Sequence, residues 1–201
     1  MRVIAGTHRG RCLTAPPGMN TRPMTDRVKE TLFNILGHRF AEPGGLPPFD
    51  VLDLFAGTGG LGLEALSRGG RTCVFVEHDR RVLPCLRANI RALGLDAACT
   101  LLTDNAWTMR VPTVANDFGL IFVDPPFRDS EDPLRVADLL ERFGAVLAPA
   151  GLMIFRQESS ATFPTQPLRG LCGVDERSIG RTRLRFLASA STVASDPPGA
   201  S

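Results

Sequence analysis

No run of apolar residues in the 201-residue sequence approaches the roughly 20 that a membrane-spanning helix needs. The first residues, Met1-Arg2-Val3-Ile4-Ala5-Gly6, also lack the apolar centre of a secretory signal. Both absences argue against a membrane or secreted protein and lead to the expectation of a cytoplasmic one. Cysteine is sparse and unpatterned: Cys12, Cys73, Cys85, Cys99 and Cys172 are odd in number, form no C-x-x-C pair and have no cluster of histidines to join. Neither a disulfide framework nor a metal centre is expected, and the cysteines read as reduced packing residues. Lysine is almost missing, with Lys29 alone, so arginine carries the basic charge. No internal repeat is present.

With 43% hydrophobic residues, the chain can bury one good core and a small appendage. Its net charge of +2 is unevenly spread. Residues 1–40 hold seven bases against two acids, a net +5, and the remaining 16 bases and 19 acids leave −3. A basic head on a near-neutral body suggests that one end contacts a polyanion.

Turn residues at Gly6, Gly10, Pro16-Pro17-Gly18 and Pro23, around Val3-Ile4 and Cys12-Leu13, predict a small hairpin-like extension. Thr25 is placed to cap a helix with the apolar stripe Val28, Leu32, Ile35 and Leu36, and Arg27 and Lys29 point away from that stripe. Gly44, Gly45, Pro47 and Pro48 form a linker. It divides a basic extension at 1–45 from a body at 46–188, and a Ser-, Ala- and Pro-rich tail at 189–201 is expected to be disordered. In the body, strands at Val51 to Leu54, Thr72 to Val76, Thr100 to Leu102, Leu120 to Val123 and Leu152 to Phe155 alternate with helices. The helices run to about Arg68, from Arg80 to Leu93 with Gly94 as a left-handed cap, and from Pro133 with the face Leu134, Ala137, Leu140, Phe143 and Leu147. Asp175 to Leu187 reads as a hairpin around Gly180. The alternation implies an α/β fold with a doubly wound, mostly parallel sheet.

Two turns carry the chemistry. Leu120-Ile121-Phe122-Val123 has the character of a buried central strand and leads into Asp124-Pro125-Pro126-Phe127. Two prolines remove two N–H donors, so this turn should present carbonyl oxygens and the Asp124 carboxylate without competing donors, with Phe127 as an aromatic plate beside them. Gly57-Thr58-Gly59-Gly60-Leu61-Gly62 follows the first strand, opens a helix and has Glu77 twenty residues after Gly57. That pattern is also the dinucleotide fingerprint, which keeps a nicotinamide- or flavin-dependent oxidoreductase as a rival reading. Asp53 lies four residues before Gly57, where it would sit awkwardly against a pyrophosphate. A carboxylate there suits a cationic ligand such as the amino group and sulfonium of S-adenosylmethionine.

Asp53-Leu54-Phe55-Ala56-Gly57-Thr58-Gly59 resembles the turn of S-adenosylmethionine-dependent methyltransferases with a Rossmann-like fold. The resemblance implies that the glycines let the backbone approach the methionine part and that Glu77, with His78 beside it, binds the ribose hydroxyls. It further implies that Asp104-Asn105-Ala106 flanks the adenine. Asp124-Pro125-Pro126-Phe127 resembles the turn of enzymes that methylate exocyclic amino groups. In such enzymes Asp124 and the Pro125 carbonyl would accept the two amino N–H groups, and Phe127 would stack on the base.

The head, from Arg2 to Arg11 and from Thr21 to Leu36, is similar to that of the bacterial family that methylates guanine N2 in 16S small-subunit ribosomal RNA, and the likeness extends to about residue 187. What it implies is a seven-stranded, mostly parallel sheet with an N-terminal hairpin and helix, and a monomer acting on guanine 966 of assembled or nearly assembled small subunits. Arg9, Arg11, Arg22 and Arg27 would touch phosphates. The segment Phe155-Arg156-Gln157-Glu158 departs from the more acidic and aromatic run of relatives. A noncatalytic RNA-binding assembly factor is the remaining alternative.

Overall fold

The structure is a computed structural model describing residues 1–17, 24–112 and 117–193. It divides into two compact units, Met1–Thr108 and Met109–Ser201.

The first unit begins with the expected hairpin-like extension, in which the Val3 N–H donates to the Arg11 carbonyl (3.0 Å) and the Gly10 N–H to the Val3 carbonyl (2.9 Å). Helix α1, Asp26–Arg39, starts at Thr25, whose hydroxyl accepts the Val28 N–H at 3.4 Å. Such a cap contributes about 1 kcal/mol. Its buried face is Val28, Leu32, Phe33 and Leu36, with Lys29 among them. The expectation that Lys29 points away from the apolar stripe is therefore corrected. This side chain is 1% exposed, and its Nζ donates to the Arg2 carbonyl at 2.5 Å and lies 3.1 Å from Glu64 Oε2.

Glu64 is what makes that burial tolerable. It accepts the backbone N–H groups of Ile4 (2.7 Å) and Ala5 (3.0 Å), and Arg68 Nε donates to its Oε1 at 2.8 Å. A buried charge is stable only when paired and hydrogen-bonded, and this one carboxylate gathers two cations and two amides. Gly6 is held close by: its φ is +80°, and a Cβ there would lie 1.8 Å from the Ser67 carbonyl oxygen. The extension is thus fastened to the helix after the glycine turn despite the Pro- and Gly-rich linker.

Strands β1 (Asp50–Leu54), β2 (Thr72–Val76) and β3 (Cys99–Leu102) pair in parallel in the order β3-β2-β1. They alternate with α2 (Gly62–Ser67) and α3 (Leu83–Ala92). Helix α3 starts later than Arg80 because the Val82 and Leu83 N–H groups are first taken by the Asp79 carbonyl, and Pro84 follows in the opening turn. Gly94 caps it with φ +68°, as expected. All five cysteines are free, and Cys12 is exposed, which corrects its reading as a packing residue.

The second unit contains β4 (Phe118–Val123), α4 (Pro133–Gly144), β5 (Leu147–Glu158), β6 (Leu171–Ile179), β7 (Thr182–Ser189) and α5 (Ala190–Val193). Its strand order is β4-β5-β7-β6, with β4 and β5 parallel and the last two strands antiparallel. Strand β5 is far longer than the expected Leu152 to Phe155, because β4 pairs along one side of it and β7 along the other. The closing hairpin turns at Gly180, φ +58°. Asp132 caps α4, whose buried residues are Val136, Leu139, Leu140 and Phe143. Leu134 is 78% exposed, so the expected face was out of phase at its first residue. Ser189 ends β7 and the next four residues are helical, against the expectation of disorder from 189; the remainder of the tail lies outside the described residues. No helix among the described residues is long and apolar enough to cross a membrane.

Candidate active site

At the end of β1 the chain turns sharply. Phe55 has φ +62°, a conformation that costs a non-glycine residue energy and that clusters at functional turns, and Gly57 and Gly59 follow with φ +55° and +85°. The Gly57 N–H donates to Glu77 Oε2 at 2.8 Å, and the Asp79 N–H donates to Glu77 Oε1 at 2.7 Å. Two backbone amides thus aim a carboxylate that is only 7% exposed, and each of its oxygens keeps further acceptor capacity. The arrangement suits a ligand with two adjacent hydroxyls. His78 is 55% exposed at its side chain and its Nδ1 stands 3.6 Å from Glu77 Oε1, so it lies at the rim and Glu77 is the built acceptor.

Asp53 is 1% exposed and its Oδ2 accepts the Gly62 N–H at 2.9 Å. It braces the turn and the start of α2. The glycines divide similarly. A Cβ on Gly59 would lie 2.6 Å from Leu86 Cδ1, and one on Gly62 2.4 Å from Phe75 Cε1, so both serve close packing within the protein. At Gly57 a Cβ would meet nothing within 4 Å, so space stays open beside the backbone there. Ala56 and Thr58 are buried, and the Thr58 carbonyl accepts from Asn89 Nδ2 at 2.9 Å.

After β3, Asp104 Oδ1 accepts the Asn105 N–H (2.7 Å) and Asn105 Oδ1 accepts the Trp107 N–H (3.0 Å), so both side chains shape the turn. The residue it presents is Trp107, whose ring centroid is 5.2 Å from that of Phe55. Sequence reading named Asn105 and missed Trp107. The available signal was that this is the only tryptophan in the chain, two residues beyond Asn105. A buried diol acceptor, an open glycine and an aromatic pair in the same unit fit a nucleoside.

In the second unit every residue of β4 is buried, and the strand ends at Asp124. The Pro126 carbonyl accepts the Asp129 N–H (2.9 Å) and the Phe127 carbonyl accepts from Ser130 Oγ (2.9 Å), which winds Phe127–Ser130 into a 3-10 turn. The Pro125 carbonyl accepts no hydrogen bond among the described residues. The expectation that Asp124 has no competing donor is overturned. Arg156 Nη1 donates to both its oxygens, at 2.9 and 2.7 Å, because strand β5 carries Arg156 past the Val123–Phe155 pair. The same guanidinium lies 4.9 Å from the Phe127 ring centroid. Burial pushes the Asp124 carboxyl above the usual carboxylate range, and Arg156 pulls it back. Arg156 is the residue that sequence reading missed in this unit. Gln157 and Glu158 are occupied elsewhere, by the Ala161 carbonyl and by Arg181.

Of the head arginines, Arg9, Arg11 and Arg27 are exposed, and Arg11 Nη2 donates to the Ala92 carbonyl at 2.9 Å. Arg22 lies outside the described residues.

A family model described as conserved hypothetical protein 95 matches residues 1–188. Ribosomal RNA small subunit methyltransferase D of Escherichia coli K12 is 37% identical over 169 residues, covering 83% of this chain and 79% of that protein. The chain belongs to the methyltransferase D family. YlbH of Bacillus subtilis is 40% identical over 133 residues, covering 65% of this chain and 69% of its own. Among solved structures, yhhF of Escherichia coli superposes with a TM-score of 0.75 at 33% identity, covering 94% of this chain and 98% of that one. The family resemblance read from the head and the two turns is thus borne out, as is the expected Rossmann-like methyltransferase fold with mostly parallel strands. Membership in the methyltransferase D family sets aside the oxidoreductase reading of the glycine turn.

Proposed function

We propose that this protein transfers a methyl group from S-adenosylmethionine to the exocyclic N2 of a guanine in 16S ribosomal RNA of the small subunit. Support comes from the name of its methyltransferase D relatives and, above all, from the acceptor turn, where a buried strand presents Asp124, the Pro125 carbonyl and the Phe127 ring together. An aromatic amine shares its lone pair with the ring and is a poor nucleophile. Two acceptors on its two N–H groups localise that pair and aim it, which is electrostatic preorganisation.

S-adenosylmethionine supplies, when bound, a sulfonium methyl whose C–S bond breaks as the N–C bond forms. In this reading Glu77 takes the ribose hydroxyls, Gly57 leaves room for the ligand, Phe55 and Trp107 flank the adenine, and Asp53 positions the turn. Asp124 and the Pro125 carbonyl hold the amine, Phe127 stacks on the base with about 1–3 kcal/mol, and the amine loses its proton after transfer to Asp124 or water. Holding both reactants in line supplies roughly 7–11 kcal/mol of the barrier reduction. The basic extension at residues 1–45 contacts RNA phosphates through Arg9, Arg11, Arg22 and Arg27. Incubation with labelled S-adenosylmethionine and small subunits from cells lacking the enzyme should place label on one guanine N2. Label accepted only by DNA or protein would overturn the substrate, and RNA binding without any transfer would favour an assembly factor.

A further inference from the structure

We propose that Arg156 is the positioning residue of the acceptor turn, holding Asp124 as an aimed, ionised carboxylate and fixing Phe127 beside it. This rests on the amino-methylation reading above. Three observations in the second unit converge on it. The side chains of Arg156 and Asp124 are only 9% and 19% exposed, so the pair is sheltered from solvent. One nitrogen donates to both carboxylate oxygens, at 2.7 and 2.9 Å, which anchors the carboxylate on the guanidinium. The guanidinium also stacks on Phe127, so one side chain orients both the acceptor and the aromatic plate.

The chemistry requires this. A carboxylate offers about four acceptor positions, and Arg156 approaches only one edge of it, so positions remain for an amine. A protonated Asp124 would present an O–H where the amine N–H needs an acceptor. Burial favours that protonated form, and Arg156 is the charge that opposes it. Other ionisable groups on the elements packed here are Arg128 and Asp129 of the adjoining turn, Arg135, Asp138, Glu141 and Arg142 of α4, Glu158 of β5, and Arg183 and Arg185 of β7. Glu158 pairs with Arg181, Arg183 and Arg185 pair with Glu176, and Arg142 pairs with Asp138, whereas Arg156 pairs with Asp124.

The test compares the full-length parent with R156M and R156K. NMR titration of the Asp124 carboxyl needs no cofactor and should show a higher midpoint in R156M than in the parent, with R156K between them. With small subunits as substrate, kcat of R156M should fall roughly 100-fold at neutral pH while KM holds, since small misplacements of a reacting group cost about that much. Part of the loss should return as pH rises and Asp124 ionises. Equal Asp124 midpoints in the three proteins, or a loss of kcat uniform across pH, would overturn the proposal. Retained S-adenosylhomocysteine binding checks the fold of R156M, and if that variant fails, the shift between R156K and the parent decides alone. A parent without methyl transfer would sink the amino-methylation reading itself, an outcome separate from any shift at Asp124.

Discussion

Glu77 in the first unit and Asp124 in the second are both carboxylates at the ends of buried parallel strands, yet they are stabilised by different means. Glu77 rests on two backbone amides, from Gly57 and Asp79. Asp124 rests on the side chain of Arg156, 32 residues further along the chain. Backbone donors do not change charge with pH and are lost only where proline replaces the residue, so the turn around Glu77 has a fixed electrostatic environment. The acceptor turn depends on one cation working against burial, and is correspondingly open to tuning.

The largest effect that would probe this contrast lies in the first unit, where side-chain pairing does occur. Glu64→Ala would leave Lys29 and Arg68 as buried cations without their carboxylate, at a cost of about 3–5 kcal/mol measured by denaturant unfolding. A loss no greater than that of a surface substitution would show that the network is not what fastens the extension. Next, Asp124→Ala should lower kcat roughly 10²–10³-fold, about 2.7–4 kcal/mol, with RNA binding retained. Unchanged methylation would remove Asp124 from its assigned role.

Glu77→Gln replaces one acceptor oxygen by an amide that faces backbone N–H groups, and should weaken S-adenosylhomocysteine binding by about 1–3 kcal/mol in calorimetric titration. The Asp124 titration should stay where it is, which sharpens the separation of the two carboxylates. The smallest effect belongs to Asp79, whose carboxyl is held down to about 2 by hydrogen bonds from the Arg81 side chain and backbone. Because the folded value lies below the unfolded one, its stabilisation is present above the ordinary aspartate range and disappears as pH falls towards about 2. The pair is exposed, so the expected readout is the NMR midpoint of Asp79 returning to the ordinary range in Arg81→Ala, with hardly any change in stability.

Much of this was legible in advance where the interaction is local. Thr25 as a cap, Gly94 as a left-handed stop, the turn at Gly180 and the strand-turn-helix around Gly57 each follow from residues within a few positions of one another. Errors arose where burial competed with type. Lys29 reads as a surface residue by its charge, although its spacing from Leu32, Phe33 and Leu36 puts it on the apolar face, and the carboxylate of Glu64, brought in from another helix, permits it to be buried. Leu134 reads as core by its side chain, but the docking of α4 turned it outward. The length of β5 depended on partners pairing along both of its edges, which its own residues do not encode.

By itself, the sequence determined the order of strands and helices, the two turns proposed to carry the chemistry and the carboxylates within them, because dihedral preference and hydrophobic periodicity act over short separations. Only the tertiary structure decided which of those groups are paired and with what. Asp53 became a brace, Glu77 an amide-held acceptor, Trp107 the companion of Phe55, and Arg156 the partner of Asp124. The reason is physical: hydrogen bonds and charge pairing depend on distances of about 3 Å, which parallel strands set between residues that are remote along the chain.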